Sequence, residues 1–318
     1  VVDASARIGH RSAGHARPTP ALHQALAPDH RATLTWSRRQ LGETAVPLHS
    51  HFATITPSAA LSLIAEAKAD HIRATLAGTA LAGLPLISST APFRGGGRGG
   101  PGNFSEVPAG PLRMRNLSDL YPYPNTLVTL LLTGAELADR LERATAVFRK
   151  VAPGAVDAAM LDDAVPSFVF ETIPQLSYAI DLSQPSRFDG QGRLVNPEAR
   201  RITGLCHGDH PLAATDKFLL VTNNHRAGRA RLQDPGTNLQ VAFTDGIRVQ
   251  SALSAHIQRK GSVGAPPQRN WHFLPMPGTT VTFPVGHGAA AYLEDIASYR
   301  PEQLARDGEG FTHYRLHL

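Results

Sequence analysis

The 318-residue chain has a single cysteine, Cys206. That excludes an internal disulfide and any Cys-x-x-Cys metal knot. Cys206 itself reads as a small buried hydrophobe rather than a catalytic thiol. No run of about 18 apolar residues is present, so the sequence offers no transmembrane helix. Lysine is scarce, and arginine carries most of the positive charge behind the net +5 and the isoelectric point near 9.6. The arginines are scattered, with small groups at Arg38-Arg39, at Arg200-Arg201 and from Arg226 to Arg231. A protein that grips a nucleic-acid polymer carries a basic stripe with interleaved aromatics. The lack of one argues against such a polymer as partner, and an anionic small molecule fits the charge equally well. The glycine-rich stretch 95–102 lacks the lysine and hydroxyl of a P-loop and the GxGxxG spacing of a dinucleotide fold. There is also no GxSxG nucleophile elbow.

What is present is ordinary globular material. The chain is 42% hydrophobic and 18% charged, enough for one large domain or two modest ones. Proline followed by loosely periodic apolar residues predicts a helix over 20–41, bent at Pro28 and closed by Gly42. A clearer amphipathic pattern predicts a helix over 58–78. Continuous apolar runs predict buried strands over 84–88, 126–132 and 218–222, and further strands are expected over 168–172, 177–181, 202–205, 271–274 and 279–283. Thr133 with Glu136 three residues on forms a capping box for a helix over 135–148. Helices are also expected over 246–259 and 289–296. The interleaving has no regular βαβ rhythm, so the fold class is α+β, a mixed sheet with packed helices.

Three stretches carry candidate chemistry. The run APFRGGGRGG sets Arg98 among glycines, which let a backbone approach a ligand, and arginine meets anions through a planar fork. Tyr123-Pro124-Asn125 offers a ring that stacks on a nucleobase beside an amide that can read a base edge. Asn223-Asn224-His225 directly follows the apolar run FLLVT, and a strand end is a common site position. Asn-His pairs also ligate metals in phosphatases, but only with Asp-x-His and Gly-His-x-His elements that this sequence lacks. Among the fifteen histidines, His49 and His51 form the one close pair with ligand-like spacing. No catalytic residue, metal ligand or cofactor is therefore assigned to this chain.

Several blocks, in order, carry a family resemblance: PLHS at 47–50, APFRGGGR at 91–98, RNLSDLYPYPNTL at 115–127, TGAEL at 133–137, FETIPQLSYAIDLSQPSRFD at 170–189, VTNNHRA at 221–227 and NWHF at 270–273. The sequence resembles the C-terminal domain of the bacterial 5'-nucleotidase family, on the branch of the periplasmic 2',3'-cyclic-nucleotide 2'-phosphodiesterase/3'-nucleotidases. The resemblance implies residues 1–18 as the tail of a metallophosphoesterase domain, residues 19–41 as a linker helix and residues 42–318 as the nucleotide-recognition domain. It also implies that two divalent metals lie in the N-terminal domain, with their ligands upstream of Val1. By position, Tyr123 corresponds to one wall of an aromatic base sandwich, Asn125 and Asn224 to neighbouring contacts and Arg98 to a substrate-contacting arginine. The second wall, Tyr or Phe in the family, is His225 here. Where the family continues with a small or aromatic residue and Gly-Gly, this chain reads Arg226-Ala227-Gly228-Arg229. The implied function is base and phosphate recognition for a metal-dependent nucleotide phosphoesterase, with periplasmic location and a nucleotide or nucleoside partner. A non-catalytic nucleotide-binding protein and a partner-binding domain with a degenerate pocket are the alternative readings.

Overall fold

Strand Leu127–Thr133 is apolar at nearly every position, and side chains of a strand alternate between its faces. Val128, Leu130 and Leu132 therefore enter one hydrophobic core, while Leu127 and Leu131 enter another. The neighbouring strand Lys217–Asn223 divides in the same way, with Phe218 and Leu220 on one face and Leu219 and Val221 on the other. A strand buried on both faces has to read as a continuous hydrophobic run. This is a computed structural model, and it describes residues 19–233 and 239–318.

These two strands are the middle of a four-stranded mixed sheet. Its order is Gln240–Phe243, Leu127–Thr133, Lys217–Asn223, Leu86–Ser88. The central pair is antiparallel, with Leu220 opposite Leu130, and Leu86–Ser88 joins in parallel with Ile87 opposite Leu220. Helix α1 spans Pro20–Arg38, α2 Ala59–Leu76, α3 Met114–Leu120, α4 Gly134–Ala144, α5 Asn224–Gln233 and α6 Val249–Lys260. Leu61, Ile64 and Ile72 of α2 and Leu253 and Ile257 of α6 close over one face of the sheet. On the other face lie Leu137 and Leu141 of α4 and two further four-stranded sheets, which contribute Tyr178, Trp271, Phe273, Val281 and Tyr314. The architecture is the mixed α+β expected.

The chain divides into two compact units between Arg39 and Gln40. Helix α1 belongs to the first; it buries no residue, and Leu22, Leu26 and Trp36 are all more than half exposed. It ends at Arg38 rather than 41, and Pro28 lies inside it without terminating it. Gly42 closes no helix. It sits in strand Gln40–Thr44, where an added Cβ would lie 2.5 Å from the Gly261 carbonyl oxygen. The segment 1–18, expected as a domain tail, lies outside the described residues.

Other boundaries also moved. Residues 168–172 are not a strand: Pro166 leads into a 3₁₀ turn, Ser167–Val169, and only Thr172 bridges to Thr90. The segment expected as a helix over 289–296 is 3₁₀ across His287–Tyr299. Asn224, just past the strand end, opens α5. The capping box forms as the sequence requires: the Glu136 amide donates to Thr133 Oγ1 at 3.3 Å and the Thr133 amide to Glu136 Oε2 at 2.7 Å. Cys206 is half-buried in strand Ile202–His207.

Candidate functional site

A cavity of about 440 Å³ opens between α4, α5 and the loops at 123–125, 168–171 and 189–192. Three of the sequence candidates reach it. Tyr123 and Asn125 enter from the turn before strand Leu127–Thr133, and His225 from the first turn of α5. The strand ends bring them together although about a hundred residues separate them in the chain. Tyr123 is 46% exposed, and its ring meets Phe93 edge-on at 5.4 Å between centroids. Asn125 is oriented from below, where its Nδ2 donates to the Tyr121 hydroxyl at 3.2 Å. Tyr121 is buried and accepts a second bond, at 2.8 Å, from Asn223 Nδ2. Burial raises the Tyr121 phenol above its usual range, although the two amides pull the other way.

Asn223, which the sequence reading left without a role, does two jobs. Its amide fixes Tyr121, and its Oδ1 accepts the Arg226 N–H at 2.8 Å, capping α5. Asn224 does not line the cavity. Its side chain and backbone clamp Thr126, with the Thr126 amide donating to Asn224 Oδ1 at 3.1 Å and the Asn224 amide to the Thr126 carbonyl at 3.0 Å. Arg98 also lies outside the cavity lining. It is exposed on a single 3₁₀ turn, Gly97–Gly99, flanked by glycines with positive φ at 96, 97 and 100. The loop is ordered: the Gly96 amide donates to the Asn103 carbonyl at 2.9 Å, and a Cβ on Gly96 would press on the Phe104 and Phe311 rings.

The floor of the cavity is ionic, which periodicity could not reveal. Glu171 is buried, and Arg140 grips it with Nε at 2.7 Å from Oε2 and Nη2 at 3.0 Å from Oε1. Arg226 Nη1 stands 3.6 Å from the same carboxylate, while its Nη2 donates to the Phe168 carbonyl at 2.6 Å. Burial alone would raise the Glu171 carboxyl. The two arginines outweigh it and hold the pKa at about 2. Behind them the Lys68 ammonium is fully buried and donates to the Ser89 carbonyl. Burial lowers its pKa to about 7, against the attraction of Glu171. Phe168, half-buried, adds a further aromatic surface to the cavity beside Tyr123 and Phe93.

Among the described residues, each carboxylate that lines the cavity already has partners: Glu136 in the capping box, Asp139 with Arg187, Glu171 with its arginines and Asp189 with Arg193. Among the described residues, one group brings three possible ligand atoms together: Glu66 and Asp70 on α2 with His256 on α6. Asp70 there accepts from Arg73 at 2.9 Å and Arg259 at 2.6 Å, so the group works as an ion-pair network between two helices. The His49 and His51 rings lie 5.7 Å apart between centroids, and they face Asp295 at 3.0 Å and Glu106 at 3.6 Å and stack with Tyr292 and Phe104.

Residues 40–233 match the sequence pattern of the 5'-nucleotidase C-terminal domain. This chain belongs to that family. The chain is 31% identical to a Haemophilus influenzae 2',3'-cyclic-nucleotide 2'-phosphodiesterase/3'-nucleotidase, over 95% of this chain and 48% of that protein. The Salmonella typhimurium protein of the same name is also 31% identical, over 92% of this chain and 47% of its own length. The chain thus spans about half the length of these relatives. Among solved structures, the 5'-nucleotidase precursor of Thermus thermophilus aligns with a TM-score of 0.58 at 18% identity, covering 80% of this chain and 43% of that one. The NAD nucleotidase of Haemophilus influenzae aligns with a TM-score of 0.52 at 14% identity, covering 80% and 41%. Both share the fold of this 5'-nucleotidase C-terminal domain. Among the described residues, no helix is long and apolar enough to cross a membrane.

Proposed function

We propose that the domain is the nucleotide-recognition part of a metal-dependent nucleotide phosphoesterase of the 2',3'-cyclic-nucleotide 2'-phosphodiesterase/3'-nucleotidase type. One observation carries the reading: Tyr123, Asn125 and His225 line one cavity. The base stacks on Tyr123 and faces His225, with the Asn125 amide against its edge. Stacking of this kind contributes about 1–3 kcal/mol per base. The His225 imidazole offers a smaller stacking face than a tyrosine ring. Arg98, on its exposed glycine turn, reaches a phosphate outside the cavity. Asn224 shapes the site by tying α5 to Thr126.

The reaction itself belongs to the other half of the protein. Two divalent metals in an N-terminal metallophosphoesterase domain would supply the activated water and the charge stabilisation that phosphoester hydrolysis needs. Helix α1 serves as the linker, and the whole protein works in the periplasm. This chain contributes position and selectivity, which change turnover without a catalytic group of its own. The test is calorimetric titration of the 318-residue chain with adenosine and 3'-AMP, alongside a phosphatase assay with Mn²⁺ on the same sample. Micromolar to millimolar binding without turnover is expected. Metal-dependent turnover by the pure chain would overturn the division of labour.

A further inference from the structure

The cavity lining holds four arginines, and they are not equivalent. Arg140 and Arg226 are committed to Glu171, and the Arg143 guanidinium lies over the Phe188 ring at 4.2 Å. Arg229 differs. Its Nη2 donates to the Gly190 carbonyl at 3.3 Å, its guanidinium carbon lies 5.9 Å from the Phe168 ring centre, and among the described residues it has no carboxylate partner. The carboxylates that line the same cavity are each held elsewhere, as above. Arg229 therefore brings a half-buried positive charge with unspent N–H donors into the cavity.

Its place on the helix is specific. Arg229 follows His225 by four residues on α5, and residues at that spacing share a helix face. A partly desolvated donor set gains most from an acceptor that replaces lost water. A guanidinium fork is matched by two acceptors side by side, as in phosphate oxygens or the O6/N7 edge of guanine. The corresponding edge of adenine puts an amino donor beside N7 and meets the fork poorly.

We propose that Arg229, backed by Phe168, sets which nucleotide the cavity takes, by binding a paired acceptor on the ligand. The assignment rests on the nucleotide reading of the cavity. The ligand is one that presents such a pair, from the guanine edge or from a phosphate, in contact with α5.

The experiment titrates guanosine, adenosine, 3'-GMP and 3'-AMP into the 318-residue chain, its Arg229→Gln and Arg229→Lys variants and Tyr123→Ala. Thermal unfolding confirms that each variant is folded. The wild-type chain should hold at least one acceptor-bearing ligand about tenfold tighter than adenosine, and Arg229→Gln should erase that difference while adenosine binding stays within twofold. Arg229→Lys keeps the charge without the fork and should restore only part of it. Guanosine favoured over adenosine names the base edge as the acceptor; a gain from the 3'-phosphate that is equal for both bases names the phosphate. Unchanged selectivity in Arg229→Gln, with Tyr123→Ala still weakening all four ligands, would overturn the role of Arg229 alone. A uniform loss for all four ligands would make Arg229 a scaffold residue and overturn the proposal too. No binding of any ligand by the wild-type chain would overturn both the nucleotide reading and the proposal.

Discussion

Replacing Glu171 with glutamine tests whether the cavity floor is held together by charge. Glu171 and the two arginines around it have side chains only 6–13% exposed, so solvent screens the pair little. Its carboxyl pKa is held at about 2 against an ordinary 4.5. At 1.36 kcal/mol per pKa unit, a gap of that size corresponds to about 3 kcal/mol. A separate route gives a similar figure: removing one partner of a buried ion pair costs about 3–5 kcal/mol, because the remaining charges stay buried without compensation. Glu171→Gln should therefore lower the free energy of unfolding at pH 7 by about 3 kcal/mol. With a urea m-value near 3 kcal/mol/M, that shifts the midpoint down by about 1 M. The sign with pH follows from the depressed pKa. The stabilisation is complete above the unfolded value of 4.5 and disappears as pH falls through about 2. The gap between wild type and variant should shrink to about 1–2 kcal/mol by pH 3. Equal midpoints at pH 7, or a gap that does not narrow on acidification, would refute the argument.

Lys68 has the opposite sign. Its pKa falls from 10.5 to about 7, so the cost of burying its charge is complete below pH 7 and fades as pH rises toward 10.5. Wild-type stability should rise by several kcal/mol across that window, and Lys68→Met should flatten the rise in urea unfolding at pH 7 and 9.5; parallel curves would contradict it. Tyr121→Phe removes the hydroxyl that accepts from Asn125 and Asn223 and leaves two amide donors short of a partner. The expected cost is about 1–3 kcal/mol in thermal unfolding together with several-fold weaker adenosine binding. Weaker stability with unchanged affinity would show that Asn125 takes no part in recognition.

The sequence made the central sheet legible because TLVTLLL and FLLVT have no choice but to be buried on both faces. Helix α4 was legible from Thr133 and Glu136, whose capping box is a local hydrogen-bond exchange. The stretch 168–172 read as a strand from its apolar residues, yet it turns after Pro166 and carries Glu171 between Arg140 and Arg226. Those ion pairs join residues 31 and 55 positions away, and no pattern of hydrophobicity encodes them. The candidate site divided along the same line. Tyr123, Asn125 and His225 sit at strand ends and share a cavity. Asn224 sits beside them in sequence but spends its side chain on Thr126. The glycine cushion of Arg98 was visible in the sequence; its position outside the cavity lining depends on how the loop packs against Phe104 and Phe311. Phe168, Glu171 and Arg229 reach the cavity through long-range packing alone.

The most direct measurement is the calorimetric affinity of the wild-type chain and of Tyr123→Ala for 3'-AMP under identical buffer conditions. Tyr123 is surface-exposed enough that its truncation should leave the fold intact. If the base stacks on this ring, the loss of about 1–3 kcal/mol weakens binding roughly 5- to 150-fold. Wild-type binding that Tyr123→Ala leaves unchanged would contradict the account, since the ligand would then sit somewhere other than this cavity.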